Sequence, residues 1–234
     1  MQIIGLALIA TVIALGFLNK PQAQISFFDI HALCIVLLGT VGAVLLGSKP
    51  RDFMRTFAIL QEFLPFLGHY GRTTRQMEVE RRRLEALWIQ GRRWDAITLA
   101  EQSSLATTRE MLQQIAARAS VALSENRFTA FVHEVMDEHE SSLANWEMMA
   151  KLGPSFGMVG TITGMIQFFK TFASGTSDLG AAMSLALLAT LYGIAFGAGI
   201  ASPIATFIQR LMNDRISVIE RCEKTARQLI SMGD

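Results

Sequence analysis

Hydroxyl side chains are the groups best placed for chemistry in this 234-residue sequence, because several lie in long stretches without charge. A threonine in such a stretch can satisfy its own hydroxyl by bonding the carbonyl oxygen four residues earlier. Alternatively, several hydroxyls can line a path and solvate an ion or a carboxylate. The sequence leaves both interpretations open. The hydroxyls concerned are those of Thr161, Thr163, Ser184, Thr190 and Tyr192.

Acidic side chains are missing from the interior of the same stretches, as are Lys, Arg and His. Proteins that move protons normally hold an acid at membrane depth, where the ion is bound and released. Two interpretations follow. Either this protein moves no ions, or another polypeptide supplies the titrating carboxylate.

Two charged segments suggest other chemistry, which the spacing disfavours. His133 and His139 are about 240° apart around a helix, so they do not form a one-face pair of metal ligands. We predict a solvated acidic face there and no metal. Arg81, Arg82 and Arg83 form a charge run in the region between the second and third uncharged runs, with binding of anionic lipid or an acidic partner as the alternative. With neither a phosphate-binding glycine loop nor a nucleophile–base pair, we predict no enzyme, no cofactor and no nucleic-acid binding.

Four uncharged runs predict an all-α membrane protein with four transmembrane helices, because a helix needs about 20 apolar residues to cross a bilayer. No convincing cleavage site follows the first run, so we expect a retained helix. The last run is longer than one crossing requires, and we expect a bend at Pro203. The four runs are Ile3–Asn19, His31–Ser48, Leu152–Phe169 and Leu179–Gln209.

The basic residues predict the orientation, because Lys and Arg concentrate in cytoplasmic segments. Most of the 21 Lys and Arg residues lie between Lys49 and Lys151 or in the tail. We therefore place both termini and a helical domain between transmembrane helices 2 and 3 in the cytoplasm. The predicted regions are 1–50 (helices 1 and 2), 51–150 (cytoplasmic domain), 151–210 (helices 3 and 4, lining the channel) and 211–234 (amphipathic tail).

The region between the second and third runs shows helical periodicity. The predicted helices are Phe53–Phe66, Glu78–Gln90, Trp94–Glu101 and Met111–Ser124, with a long one that begins at Glu125. The apolar stripe of this last helix includes His139 and continues almost to Pro154, so we expect a stalk that enters the membrane.

Small residues recur four positions apart in the last two runs, which lets helices approach closely in lipid. We interpret these faces as surfaces for tight oligomeric packing. They are Gly153, Gly157 and Thr161; Gly160 and Gly164; and Gly193, Gly197 and Ala201.

Several stretches together resemble the MotA/TolQ/ExbB proton-channel family. Two helices before the large loop, rather than one, favour its flagellar stator branch (MotA). The matching stretches are Leu152-Gly153-Pro154, Gly157 to Gly164, Leu187 to Gly193, Pro203, and the second run from Phe28 to Ala43.

The resemblance implies a ring, thought to be a pentamer, in the bacterial inner membrane around a dimer of a MotB-like single-span partner. That partner supplies the membrane Asp. By position, Thr161 and Thr190 match the channel threonines of the family, with Ala189 and Tyr192 beside them. Pro154 and Pro203 match its two functional prolines.

The resemblance also implies contact with a FliG-like rotor protein through an Arg and a Glu eight residues apart. Arg93 and Glu101 have this spacing, although Ala96 stands where the family has Gly. Arg92 is the alternative to Arg93.

Within this resemblance, Ala189 favours H⁺ over Na⁺, because sodium-type members carry a second threonine before the channel threonine. Sodium must exchange its hydration shell for several oxygen ligands at once. Thr163 should not compensate, since it lies about 200° around the helix from Thr161.

Two other functions stay open at this point. One is a TolQ/ExbB-like energiser of an outer-membrane process, and the other is a membrane scaffold that conducts nothing. The protein encoded by the neighbouring gene would separate them. A single-span protein with a membrane Asp and a peptidoglycan-binding domain indicates a motor, and a TonB- or TolR-like domain indicates an energiser.

Overall fold

The computed structural model describes residues 29–58, 72–117, 121–173 and 179–232. The first uncharged run and the end of the predicted helix Phe53–Phe66 lie outside these residues. The fold is all-helical in the described part, as the sequence predicted. Its elements are α1 (Ile30–Gly47), α2 (Pro50–Ala58), α3 (Arg72–Ile89), α4 (Arg93–Gln102), α5 (Ala106–Ala116), α6 (Val121–Ala173), α7 (Leu179–Phe196), a π-turn (Gly197–Ala201) and α8 (Ser202–Ser231).

Helix α1 begins at a well-formed cap. The carboxylate of Asp29 accepts hydrogen bonds from the backbone N–H groups of His31 at 2.8 Å and Ala32 at 3.3 Å. Such a cap satisfies donors that the first helical turn leaves unpaired. Every fourth residue of the helix is then buried, which gives α1 one inward face; these residues are Ala32, Val36, Thr40 and Val44.

The chain divides into two compact units. The first contains the described residues of Met1–Thr56 and Leu143–Thr206, and the second contains those of Phe57–Ser142 and Phe207–Asp234. In the first unit, α1 packs along α7, where Ala32 meets Leu185, Leu188 and Ala189.

The second unit has an apolar core of its own, built from α3, α4, α5, α6 and α8. Its fully buried side chains include Leu84, Met111, Phe128 and Ile219. His139 is also buried, as expected for a member of the apolar stripe of the long helix. It therefore does not belong to the solvated acidic face that was predicted for this segment. Its Nδ1 lies 2.9 Å from the Val135 carbonyl oxygen and its Nε2 lies 3.0 Å from Nη1 of Arg215.

Several helix boundaries differ from the predictions, and α3, for example, begins at Arg72 instead of Glu78. Helix α5 ends at Ala116 instead of Ser124, and its start follows a turn in which the Ser103 hydroxyl accepts the Leu105 N–H. Helix α6 begins at Val121, before the predicted Glu125, and it continues through Pro154 to Ala173. A proline usually disrupts a helix, so Pro154 by itself would predict a break. The continuity was indicated by the apolar stripe, which continues almost to Pro154.

The last uncharged run is interrupted before Pro203, at the π-turn Gly197–Ala201. The Ser202 N–H donates to the Gly197 carbonyl, five residues earlier, as is typical of a π-turn. Since Pro203 has no N–H, the regular bond to the Gly199 carbonyl cannot form there. The irregularity expected at the proline is therefore found in the turn that precedes it.

Two helical segments of the described residues are long and apolar enough to cross a membrane, by length and composition. They are Ile30–Gly47 and Ala182–Ser231. The third uncharged run, Leu152–Phe169, lies within α6. Its glycines, hydroxyls and Gln167 make it less apolar than these two segments.

Candidate functional site

Thr161 of α6 and Thr190 of α7 face each other, and their hydroxyl groups form a short hydrogen bond. The Thr161 hydroxyl is also 3.1 Å from the Gly157 carbonyl oxygen and 3.3 Å from that of Ala186. The Thr190 hydroxyl lies 3.3 Å from the same Ala186 oxygen. The bond to the carbonyl four residues earlier, one of the two alternatives left by the sequence, is thus present at both threonines, and in addition the two hydroxyls pair with each other.

A line of glycines lets α6 and α7 approach closely enough for these hydroxyls to meet. A Cβ at Gly193 would lie 2.6 Å from the carbonyl oxygen of Gly153 and 2.9 Å from the Cα of Gly157. A Cβ at Gly164 would lie 2.7 Å from that of Ala186. We define these residues, Gly153, Gly157, Gly160 and Gly164 against Ala186, Ala189, Gly193 and Gly197, as the glycine seam.

The glycine seam corrects the interpretation of the small-residue faces. Those faces were expected to pack between copies of the chain, but Gly153, Gly157, Gly160 and Gly164 pack against α7 of the same chain. Spacing in a sequence identifies a face that can pack closely, but it does not identify which helix covers it.

Pro154 lies on the glycine seam and explains one further close contact. Its ring removes the hydrogen bond that the Ala150 carbonyl would otherwise accept. A Cβ at Gly197 would lie 2.7 Å from this carbonyl oxygen and 2.5 Å from Cδ of Pro154. Only glycine fits there, and Gly197 is also the first residue of the π-turn. Pro203, by contrast, is exposed.

The two other predicted pathway residues, Ala189 and Tyr192, lie about 60° apart around α7, and both belong to the cluster formed with α1. Ala189 is fully buried, and its Cβ occupies the space that a side chain at Gly160 would need. Tyr192 is half-buried and packs against the cluster formed by α1 and α7. The structure therefore brings Thr161 and Thr190 into contact, with Ala189 between Gly160 and the α1–α7 cluster, whereas Tyr192 packs against that cluster.

A buried polar cluster that the sequence did not suggest joins α1, α2 and α6. The Asn145 amide donates to the Thr56 hydroxyl at 2.7 Å and accepts a short bond from Ser48. The Trp146 indole donates to the Thr56 carbonyl oxygen at 3.0 Å. These residues are far apart in the sequence, so no local spacing could have revealed the cluster. It holds α2 against the same helix that carries Thr161.

The predicted rotor-facing residues lie at the surface of the second unit. Arg92 pairs with Asp95 at 2.6 Å, and the guanidinium of Arg93 lies over the Trp88 ring, 5.5 Å from its centre. Glu101 is exposed near the end of α4. Before α4, Gly91 adopts a φ of 75°, which favours glycine, whereas Ala96 is fully buried. Arg93 and Glu101 are thus both accessible on one short helix.

The arginine run of α3 is partly structural. Arg81 donates to Glu78 at 2.8 Å, to Glu85 at 3.1 Å and to the Thr225 hydroxyl at 2.8 Å. Hydrogen bonds from Arg81 and Arg82 hold the pKa of Glu78 at about 2, against an ordinary value of 4.5. Arg81 therefore acts as an internal tie between α3 and α8, and the surface charge run is shorter than the sequence suggested.

Comparison with known proteins identifies the family. Residues 99–221, more than half of the chain, match the MotA/TolQ/ExbB proton channel family. This chain belongs to that family. Motility protein A of Aquifex aeolicus (strain VF5) is 28% identical over 213 residues, which are 85% of this chain and 79% of the relative. Motility protein A of Bacillus subtilis (strain 168) is 21% identical over 225 residues, 94% of this chain and 80% of the relative.

Two solved structures share the fold. A chain of the C. jejuni MotAB structure matches with a TM-score of 0.83 at 12% identity, covering 98% of this chain and 89% of that one. A chain of the flagellar MotAB stator complex from Bacillus subtilis matches with a TM-score of 0.78 at 20% identity, covering 97% and 88%.

Proposed function

We propose that this chain is the ring subunit of a flagellar motor stator that couples ion flow to torque. The observation that carries the proposal is the hydroxyl pair of Thr161 and Thr190 in segments whose sequence contains no charged residue. Hydroxyls can donate hydrogen bonds to a carboxylate while their own helices stay intact. Relatives named Motility protein A support the same function.

The membrane arrangement we propose has four transmembrane helices, both termini in the cytoplasm, and the helical region 51–150 in the cytoplasm between the second and third spans. Apolar side chains on α1, α6 and α7 support it, because a bilayer would cover large hydrophobic groups that otherwise face water. These exposed groups include Ile30, Leu38, Leu46, Ile162, Phe169, Phe172 and Leu187.

The carboxylate of the ion path comes, in this proposal, from a MotB-like single-span partner in the bacterial inner membrane. Several copies of the chain, five in the arrangement that the family resemblance implies, would surround a partner dimer. Both structural relatives are chains of MotAB assemblies, which supports a MotB-like partner for this chain.

The ion we propose is H⁺. Ala189 offers no oxygen ligand, and its Cβ lies against Gly160 in the glycine seam. A threonine at position 189 would therefore have to displace the facing helix before its hydroxyl could join the pair. A proton needs only a carboxylate and a hydroxyl or water relay, whereas Na⁺ needs several oxygens at once.

The rotor contact we propose is made by Arg93 and Glu101 with a FliG-like protein. Both are exposed on α4, which supports their availability to a partner. Arg92 is less available, because its side chain already pairs with Asp95.

The test of this function is complementation of swimming. The chain is expressed with the single-span partner in a flagellated strain that lacks its own stator. Swimming should return, and it should be lost when the membrane Asp of the partner becomes Asn, with both proteins still in the membrane. Normal swimming without the partner Asp would contradict the proposal, and so would a paralysed strain that contains the assembled complex.

A further inference from the structure

A cleft of about 450 Å³ lies between α3 and α8 in the second unit. Leu211 and Val218 form its apolar floor, and Val79 beside them remains 54% exposed. Three arginines line its rim, Arg75, Arg82 and Arg221, all of them exposed.

The acids of the cleft neutralise these arginines only in part. Glu78 accepts a hydrogen bond from Arg82 at 2.8 Å and lies 3.8 Å from Arg221, but it is also bound by Arg81. Asp214 is the other acid of the lining. The three rim arginines outnumber the two acids, so the cleft has a positive rim around an exposed apolar side chain.

A complementary surface lies on α6 of the same unit. Glu134, Asp137 and Glu140 are exposed there, at spacings of three residues. His139 indicates the direction of this surface, since it contacts Arg215 of α8. Glu134 and Asp137 lie about 140° and 160° around the helix from His139, so they point away from α8.

The two surfaces therefore belong to different sides of the second unit. One lies between α3 and α8, and the other lies on the side of α6 that faces away from α8. Two such surfaces on one chain allow a head-to-tail contact between copies, and repetition of a head-to-tail contact closes a ring when the rotation permits. Complementary charge also sets which surfaces meet.

We propose that the acidic face of α6 from one copy, around Asp137, docks on the arginine-rimmed α3–α8 cleft of the next copy. The occupant of the cleft is thus a second copy of this chain. This inference rests on the proposed ring function, and it adds the contact by which the second units of neighbouring copies hold together.

Site-specific cross-linking between two differently tagged copies tests this contact. Cys34→Ala and Cys222→Ala remove the native thiols; one tagged copy then carries Val79→Cys and the other carries Asp137→Cys. The two are expressed together with the single-span partner and treated in membranes with a bismaleimide. A product that carries both tags should form. The matched control replaces Asp137→Cys with Thr98→Cys, an exposed position on α4.

Charge reversal provides the second measurement, because a cysteine variant alone could fail to fold. Arg75→Glu in the copy that carries Val79→Cys, and Glu134→Arg in the copy that carries Asp137→Cys, should each lower the yield of the two-tag product about fivefold, the effect expected for reversing one exposed ion pair. The combination of both reversals should restore the yield.

The outcomes separate this inference from the function. Oligomers that form without the two-tag product, or charge reversals that do not compensate, overturn the docking contact. A cleft cysteine that cross-links to the single-span partner or to a rotor protein instead also overturns it. If the two-tag product forms but the unmodified chain with its partner restores no swimming, the contact stands and the stator function is contradicted.

Discussion

At the scale of residues, the Thr161–Thr190 pair has the property that an ion path requires. Each hydroxyl has a backbone acceptor within 3.3 Å, and each also contacts the other. A hydroxyl can rotate between acceptors at low cost. An approaching carboxylate can therefore accept a hydrogen bond from one threonine while the other keeps its bond to the backbone.

Thr190→Val tests this property, because it keeps the shape of the side chain and removes the hydroxyl. We expect ion-driven swimming to fall to background while the complex still assembles, since one lost hydrogen bond costs only about 1 kcal/mol of stability. Thr190→Ser is the matched control and should retain function. Swimming at the normal speed in the valine variant would eliminate the proposed role.

Glu78 provides a residue-scale prediction about stability. Its pKa is lowered to about 2 in the folded protein, chiefly by the hydrogen bond from Arg81. The ionised carboxylate therefore stabilises the fold above about pH 4.5, and this stabilisation is lost as the pH falls toward 2. Glu78→Gln should lower the thermal unfolding temperature in detergent at pH 7.

The pH series distinguishes this ion pair from simple packing. The difference between wild type and Glu78→Gln should shrink steadily below pH 4.5. Glu101→Gln, a change at an exposed position, should have little effect at any pH. A constant difference between wild type and Glu78→Gln down to pH 2 would show that the charge does not contribute.

At the scale of elements, the sequence predicted the helices well and their contacts poorly. Hydrophobic periodicity identified α3, α4 and the long α6, because each buries one face. Residue spacing within α7 could not reveal that Thr190 faces Thr161; the family resemblance named both threonines, and only the structure showed that they pair. The sequence could not predict that the small-residue face of α6 packs against α7, nor the hydrogen bonds of Asn145. Both depend on contacts between segments that are distant in the sequence.

Gly193→Ala tests the glycine seam. A Cβ at this position would lie 2.6 Å from a backbone oxygen, so the helices must separate, at a cost of about 1–3 kcal/mol. We expect a lower unfolding temperature and reduced function. Gly42→Ala is the matched control, because no atom lies within 4 Å of its added Cβ. It should leave stability unchanged or raise it, since alanine favours helix. Equal behaviour of the two variants would contradict close packing at the seam.

Pro203→Ala tests the π-turn as a flexible point between α7 and α8. Alanine restores a backbone N–H that can bond the Gly199 carbonyl, which favours a regular helix through Gly197–Ala201. We expect swimming speed to fall more than the amount of protein in the membrane. If both fall in parallel, the proline serves folding alone.

At the scale of the whole molecule, the proposed motor divides the work between two polypeptides. In this proposal the chain provides hydroxyls, a closely packed pair of helices and an exposed Arg93–Glu101 surface, and the partner provides the carboxylate. A carboxylate supplied by the partner also accounts for the missing acidic side chains in the interior of the long apolar stretches of this sequence. Ion flow through this chain should therefore require both proteins and the Thr190 hydroxyl.

Proton uptake by vesicles that contain the chain and its single-span partner is the most direct test. Uptake is followed with a pH-sensitive dye under an imposed membrane potential, at fixed pH and with or without sodium. We predict uptake that is independent of sodium, is abolished by Thr190→Val in assembled complexes, and is retained by Thr190→Ser. Undiminished uptake in the valine variant, or ion flow that appears only with sodium, would contradict the account.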